Sequence, residues 1–191
     1  MMSSICWAVV LGAGVVLSAT AEQTTVQHEA HEHGIAALDV ALEVENLVVE
    51  FNSPAVNIVG FEHQPSSDDQ KAAVTDAVAT LKDADRVFAI PAEARCELVS
   101  VYLETELMHG DDHHSEEAHE SDEHGHAEAE EVHSEFRAVY SYSCANADKL
   151  TSIKVNLIEL YPGIDEIHTR VIGPSGQTAG DLTGSSPDLS L

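Results

Sequence analysis

The sequence predicts an α+β domain: an antiparallel β-sheet with about two helices packed on one face, interrupted by a long flexible His/Asp/Glu-rich hairpin loop. Three observations carry that expectation. Segments that alternate apolar and polar residues come in pairs separated by short polar turns. One stretch carries apolar residues at helical spacing behind a capping signal. Two β-rich segments flank a run of histidines and acids that has no counterpart elsewhere in the chain.

Taken in order, residues 22–34 are polar and expected to be mobile. Ile35 to Glu43 and Leu47 to Asn52 then read as a β-hairpin, with Glu45 and Asn46 between them and Ser53 and Pro54 stopping the second strand. Ser67 and Gln70 make a capping box, and Val74, Ala77, Val78 and Leu81 recur on one helical face, so a helix of about four turns should end near Ala84. Residues 95–107 and 135–144 are rich in strand-forming residues. A second helix is expected from Ala147 to about Tyr161, stopped by Pro162 and Gly163, although Ile153, Val155 and Leu157 also alternate like a strand. Two closing strands follow, around Glu166 to Ile172 and Gln177 to Thr183.

The N-terminus reads as a processing segment. Ile5 to Ala19 is an apolar run of secretory length, and Ala19-Thr20-Ala21 supplies a small-x-small cleavage pattern, so residues 1–21 are expected to be a signal peptide and residues 22–191 a single metal-binding domain. The run is short for a membrane span, and no Lys or Arg precedes it; an uncleaved anchor is the alternative. The expected destination is the periplasm, as a soluble protein without stable membrane insertion. Two cysteines remain after removal, Cys96 and Cys144. In an oxidising compartment they should form a disulfide closing a loop of 49 residues, which chain entropy makes worth about 4 kcal/mol. Metal ligation is the weaker reading, because neither belongs to a CxxC pair. Paired directly across an antiparallel ladder, they put Leu98 opposite Tyr142, Ser100 opposite Tyr140 and Val101 opposite Val139, with the hairpin tip near residue 120.

Charge narrows the function. With 34 Asp and Glu against 8 Lys and Arg the formal charge is −26, which argues against nucleic acid as a partner. The chemistry is concentrated in the insert. From His109 to His133 the chain holds 7 His (His109, His113, His114, His119, His124, His126 and His133) and 10 Asp or Glu, with no Lys or Arg. Residues 108–133 are therefore expected to be disordered without a ligand, for want of apolar residues to offset ordering entropy. Imidazoles suit Zn²⁺, with Ni²⁺ and Cu²⁺ as alternatives, and the carboxylates add charge and oxygen donors. Calcium fits poorly, since no DxDxDG loop is present. An unliganded acidic loop would not need seven imidazoles in 25 residues.

A second group is His28, His31 and His33, whose HxxHxH spacing lets two or three imidazoles converge on one ion. His63 precedes the first helix and reads equally as a fourth ligand or as an imidazole hydrogen-bonded at a helix entrance. His168 falls in an expected strand and reads as structural. Catalytic signatures are absent: there is no HExxH, GxSxG or P-loop, and Gly173 to Gly176 is a turn. The protein is not expected to be an enzyme. A hydrolase with a three-histidine metal site and Glu62 as base is the enzymatic reading, and it ranks low.

HEHGIAALDVALE at 31–43, SPAVNIVGFEHQP at 53–65, VFAIPAEARCEL at 87–98, HSEFRAVYSYSC at 133–144, and YPGI with GPSGQTAGDL near the end resemble the ZrgA-type zinc-uptake family of proteobacterial periplasms. The resemblance runs over nearly the whole mature chain, and SPAxNxxGFEH is its most specific element. It implies a periplasmic zinc-binding accessory to zinc acquisition, acting with a zinc uptake transporter in the periplasm or inner membrane. It raises His31, His33, His63 and His133, which fall inside family-like motifs. The expectation is thus a scavenger or chaperone that captures Zn²⁺ with its loop and hands it on. The alternative is an acidic interaction module that docks a basic partner, with histidines as a pH switch.

Overall fold

Alternating burial organises the larger sheet. The computed structural model describes residues 32–108 and 134–191. Strands β1 (Ile35–Glu43) and β2 (Asn46–Pro54) form the expected hairpin. Leu38, Val40 and Leu42 of β1, with Leu47, Val49 and Phe51 of β2, are buried on one face, while their neighbours in sequence face outward. Short helix α1 (Ala55–Val59) follows, then α2 (Asp68–Lys82), which starts at the expected capping box: Gln70 N–H donates to Ser67 Oγ at 3.2 Å, and Ser67 N–H to Gln70 Oε1 at 3.3 Å. Val74, Ala77, Val78 and Leu81 are its buried residues, as the periodicity requires.

After a helical turn, α3 (Ala84–Val87), come β3 (Phe88–Ala89), β4 (Cys96–Glu104) and β5 (Glu135–Cys144). Cys96 and Cys144 are direct partners in the β4–β5 ladder and are joined by a disulfide, as expected. Leu98 faces Tyr142, also as expected, but the register then shifts by one: Ser100 faces Ser141 and Val101 faces Tyr140. The irregularity lies at Val99, which is 68% exposed. An unbroken register would align Ser100 and Tyr102 with the inward residues of β5. The bulge instead aligns Val101 and Leu103 with buried Tyr140 and Ala138, so apolar burial decides the register. The expected hairpin tip near residue 120 lies outside the described residues.

The second expected helix is not formed. Residues 147–161 divide into a 3₁₀ turn (Ala147–Lys149), strand β6 (Ser152–Val155) and a single helical turn, α4 (Leu157–Leu160). The β-branched residues Ile153 and Val155 are buried with Lys154 exposed between them, a period of two that wins over the weaker helical spacing. Strands β7 (Glu166–Gly173) and β8 (Gly176–Thr183) close the larger sheet, and β9 (Asp188–Ser190) joins a smaller one.

The six-stranded sheet has the order β4-β5-β2-β1-β7-β8, and the three-stranded sheet the order β3-β6-β9. The α+β class holds. The larger sheet is mixed rather than wholly antiparallel, because β7 returns from the small sheet and lies parallel to β1. The inner face carries the core, with Tyr140 edge-on to Phe88 at 5.0 Å and donating its hydroxyl to Leu81 O of α2 at 2.6 Å. Tyr161 OH likewise donates to Ala77 O at 3.2 Å. The outer face carries ion pairs beside exposed Val48, Tyr102 and Ile172: Arg137 Nε donates to Glu50 Oε1 at 2.7 Å and Arg170 Nε to Asp39 Oδ1 at 2.6 Å. No helix among the described residues is long and apolar enough to cross a membrane.

Candidate metal centre

One end of the larger sheet gathers the start of β1, the ends of β2 and β4, the starts of β5 and β7, and the end of β8. The pairings Pro54 with Glu135, Glu104 with Arg137, Ile35 with Glu166 and Glu166 with Thr183 fix this. The chain enters β1 through Gly34, whose φ of 87° is the left-handed region that favours glycine. Asn57 of α1, 4% exposed, clamps that entry. Its Oδ1 accepts from Gly34 N–H at 2.8 Å, and its Nδ2 donates to Ile35 O at 2.9 Å. Gly34 O in turn accepts from the backbone N–H groups of Asp165 and Glu166, at 2.8 and 3.1 Å. Gly163 seats closely on Asn57: a Cβ there would lie 2.5 Å from the Asn57 carbonyl oxygen.

This clamp places His33 beside the segment that follows α1. Gly60, with φ 85°, caps α1 and turns the chain into Phe61, Glu62 and His63. His33 Nε2 lies 3.9 Å from Glu62 Oε1; the imidazole is exposed and the carboxylate mostly buried. His63 stacks on Phe61 with centroids 5.1 Å apart, and its Nδ1 is 2.9 Å from Gln64 O. A carbonyl can only accept, so Nδ1 carries the proton in that bond, and Nε2, 3.5 Å from the capping-box amide of Gln70, keeps the lone pair that a metal would use. The helix-entrance reading of His63 is thus present in the structure, in a tautomer that still offers a ligand nitrogen.

The insert leaves from the same corner. Gln64 Nε2 donates to Glu106 O at 3.0 Å, Glu135 N–H donates to Glu106 Oε2 at 3.0 Å, and Ala55 N–H donates to Ser134 O at 2.8 Å. The loop bearing His63 is therefore bonded to the stem that precedes the insert, and Glu106 of that stem links it onward to Glu135 of the stem that follows. His109, His113, His114, His119, His124, His126 and His133 lie outside the described residues, as do His28 and His31. Their points of attachment do not: the insert leaves after the end of β4 and returns before the start of β5, and the N-terminal segment precedes the start of β1. Among the described residues, His33, His63 and His168 all lie toward this end of the sheet.

Among the described residues, one group of three side chains could hold a metal ion, and it lies apart from the histidine motifs of the sequence. Glu166, His168 and Asp181 offer ligand atoms within 4.8 Å of one another. His168 Nε2 is 2.9 Å from Glu166 Oε1 and 3.9 Å from Asp181 Oδ1. His33 and His63 do not fall within such a group among the described residues. The signal was present in the sequence: Glu166 and His168 are two apart on one strand and so share a face, and counting the β7–β8 hairpin through its turn places Asp181 opposite His168.

No curated protein matches the chain. A family model described as ZrgA family zinc uptake protein matches residues 30–191, which is the clamped N-terminal entry, both sheets and the insert together. The histidine-bearing corner therefore belongs to a chain with a zinc-uptake-related role, and this protein is a member of the ZrgA family of zinc uptake proteins.

Proposed function

We infer that the protein is an exported, periplasmic zinc-binding accessory that captures Zn²⁺ and passes it to a zinc uptake transporter. Capture belongs to the histidine-acidic insert, 109–133, whose ligand sets overlap and whose charge draws divalent cations from a distance. Retention of one ion belongs to a better-formed site from His31, His33 and His63, with His133 as a further ligand and His28 close in sequence. The observation that supports this reading is that the entry to β1, the His63 loop and the two stems flanking the insert meet at one end of the sheet, tied by Asn57, Gln64 and Glu106. Ligands drawn from separate segments bind well only if the fold holds those segments close.

Calorimetric Zn²⁺ titration of metal-free protein from residue 22 tests it, beside a version lacking residues 110–132, with Ni²⁺, Cu²⁺ and Ca²⁺ as competitors. Tight binding by the intact protein, with release of protons, is the expected result. One tight site surviving the deletion supports the retaining site. Loss of all binding with the insert would remove that site from the scheme. Absence of binding by both would overturn zinc capture and leave the acidic docking module as the better account.

A further inference from the structure

We propose that Glu166, His168 and Asp181 form a third zinc site, an exposed exchange site on the outer face of β7 and β8; the proposal rests on the zinc-capture reading above. The three side chains share one face of a single hairpin. His168 and Asp181 are direct cross-strand partners, and Glu166 is the next outward residue along β7. The backbone beneath them is fixed from the opposite face, where Thr169, 4% exposed, donates its hydroxyl to Gly180 O at 2.8 Å. The ligand atoms therefore stand on two strands whose relative register is pinned within one residue of each.

The donor set fits zinc. Metal-ligand distances of about 2.0–2.2 Å in a tetrahedral site place neighbouring donors about 3.4 Å apart. The His168–Glu166 and His168–Asp181 separations of 2.9 and 3.9 Å bracket that value, so side-chain rotation suffices. Charge points the same way. Two carboxylates face one imidazole, and the nearest guanidinium on this face, Arg170, is held by Asp39 through a pair of hydrogen bonds. A divalent ion in place of the imidazole proton balances both carboxylates. One nitrogen and two oxygen donors suit Zn²⁺ better than Ca²⁺, which prefers six to eight oxygens.

Three protein ligands leave one coordination position open, and the exposed setting leaves it accessible to water or to a ligand from another chain. Such a site loads and unloads readily, as a transfer step requires and a storage site does not.

The test is peptide-resolved carbethoxylation of the histidines by diethyl pyrocarbonate, read by mass spectrometry on the full mature chain across a Zn²⁺ titration. Zinc should slow modification of His168 at least ten-fold, and equal Ca²⁺ should not. Asp181→Asn and Glu166→Gln should each move half-protection to at least ten-fold higher zinc, with unchanged far-ultraviolet circular dichroism. If zinc protects the other histidines but leaves His168 reactive, this site fails while zinc capture stands. Protection of His168 that persists unchanged in both variants likewise overturns the three-ligand site. If no histidine is protected, zinc capture itself fails, and this proposal with it.

Discussion

At the scale of single residues, the side chain that organises the candidate centre is not a ligand. Asn57 is buried, yet both ends of its amide are used, accepting from Gly34 and donating to Ile35. A backbone group in β1 ordinarily finds its partner on an adjacent strand; here the strand is just beginning, so a side chain supplies what the ladder does not. Removing it leaves a buried donor and a part-buried acceptor without partners, at about 1–3 kcal/mol each. Asn57→Ala should therefore destabilise the protein by about 2–6 kcal/mol, and amide exchange at Gly34 should accelerate by more than the global loss of stability explains. A urea midpoint unchanged from wild type would show that water replaces the amide at no cost. Asn57 lies within the SPAxNxxGFEH element that carried the family resemblance, and the structure supplies the physical reason such a residue is needed between Pro54 and His63.

At the scale of elements, local signals were legible where one period dominated. The β1–β2 hairpin, α2 with its capping box, and the pairing of Cys96 with Cys144 follow from residues close in sequence or from one two-residue period. In segment 147–161 alternation at Ile153 and Val155 competes with helical spacing over too short a stretch for either to dominate, and strands β3 and β9, which pair with β6, are themselves only two and three residues long. The one-residue slip in β4–β5 was invisible for a related reason: a bulge at Val99 leaves no mark except that Val101 and Leu103 must face inward. The candidate centre divides in the same way. His33 and His63 could be named from motifs, but Glu166 and Asp181 gain meaning only once the β7–β8 register is known. The disulfide gives a prediction at this scale. It closes the base of a hairpin whose stems are separated by the long insert, so its removal frees a long loop in the unfolded chain. Replacing both cysteines by serine should cost about 4 kcal/mol by chain entropy, seen as a lower urea midpoint. A midpoint within experimental error of wild type would mean that the β4–β5 ladder alone holds the stems.

At the scale of the whole molecule, the two faces of the six-stranded sheet do different work. The inner face builds the core, and the outer face and one end carry the charged groups and the candidate metal ligands. On the outer face Arg137 pairs with Glu50 and Arg170 with Asp39, and no Asp, Glu, Lys or Arg is buried among the described residues, so the acidic character of the chain, −26 overall, stays out of the core. The ionisable groups that the core does hold are tyrosines. Burial pushes Tyr142 and Tyr161 each up to about 12, and Tyr140 further in the same direction. Tyr102, on the outer face, is raised chiefly by its hydrogen bond to Glu104. Unfolded tyrosines ionise near pH 10. A raised native value means that the unfolded chain releases these protons first, so the stabilisation is fully present below about pH 10 and is lost as pH rises through the native values. The urea midpoint should accordingly fall steeply between about pH 10 and 12, and tyrosinate absorbance from the buried residues should emerge together with unfolding rather than before it. Carboxylate repulsion is already complete at neutral pH and cannot produce that step. Tyrosinate absorbance from all four tyrosines with an unchanged urea midpoint would show that the phenols reach solvent in the native state, and that the core over α2 is looser than its hydrogen bonds to Leu81 and Ala77 require.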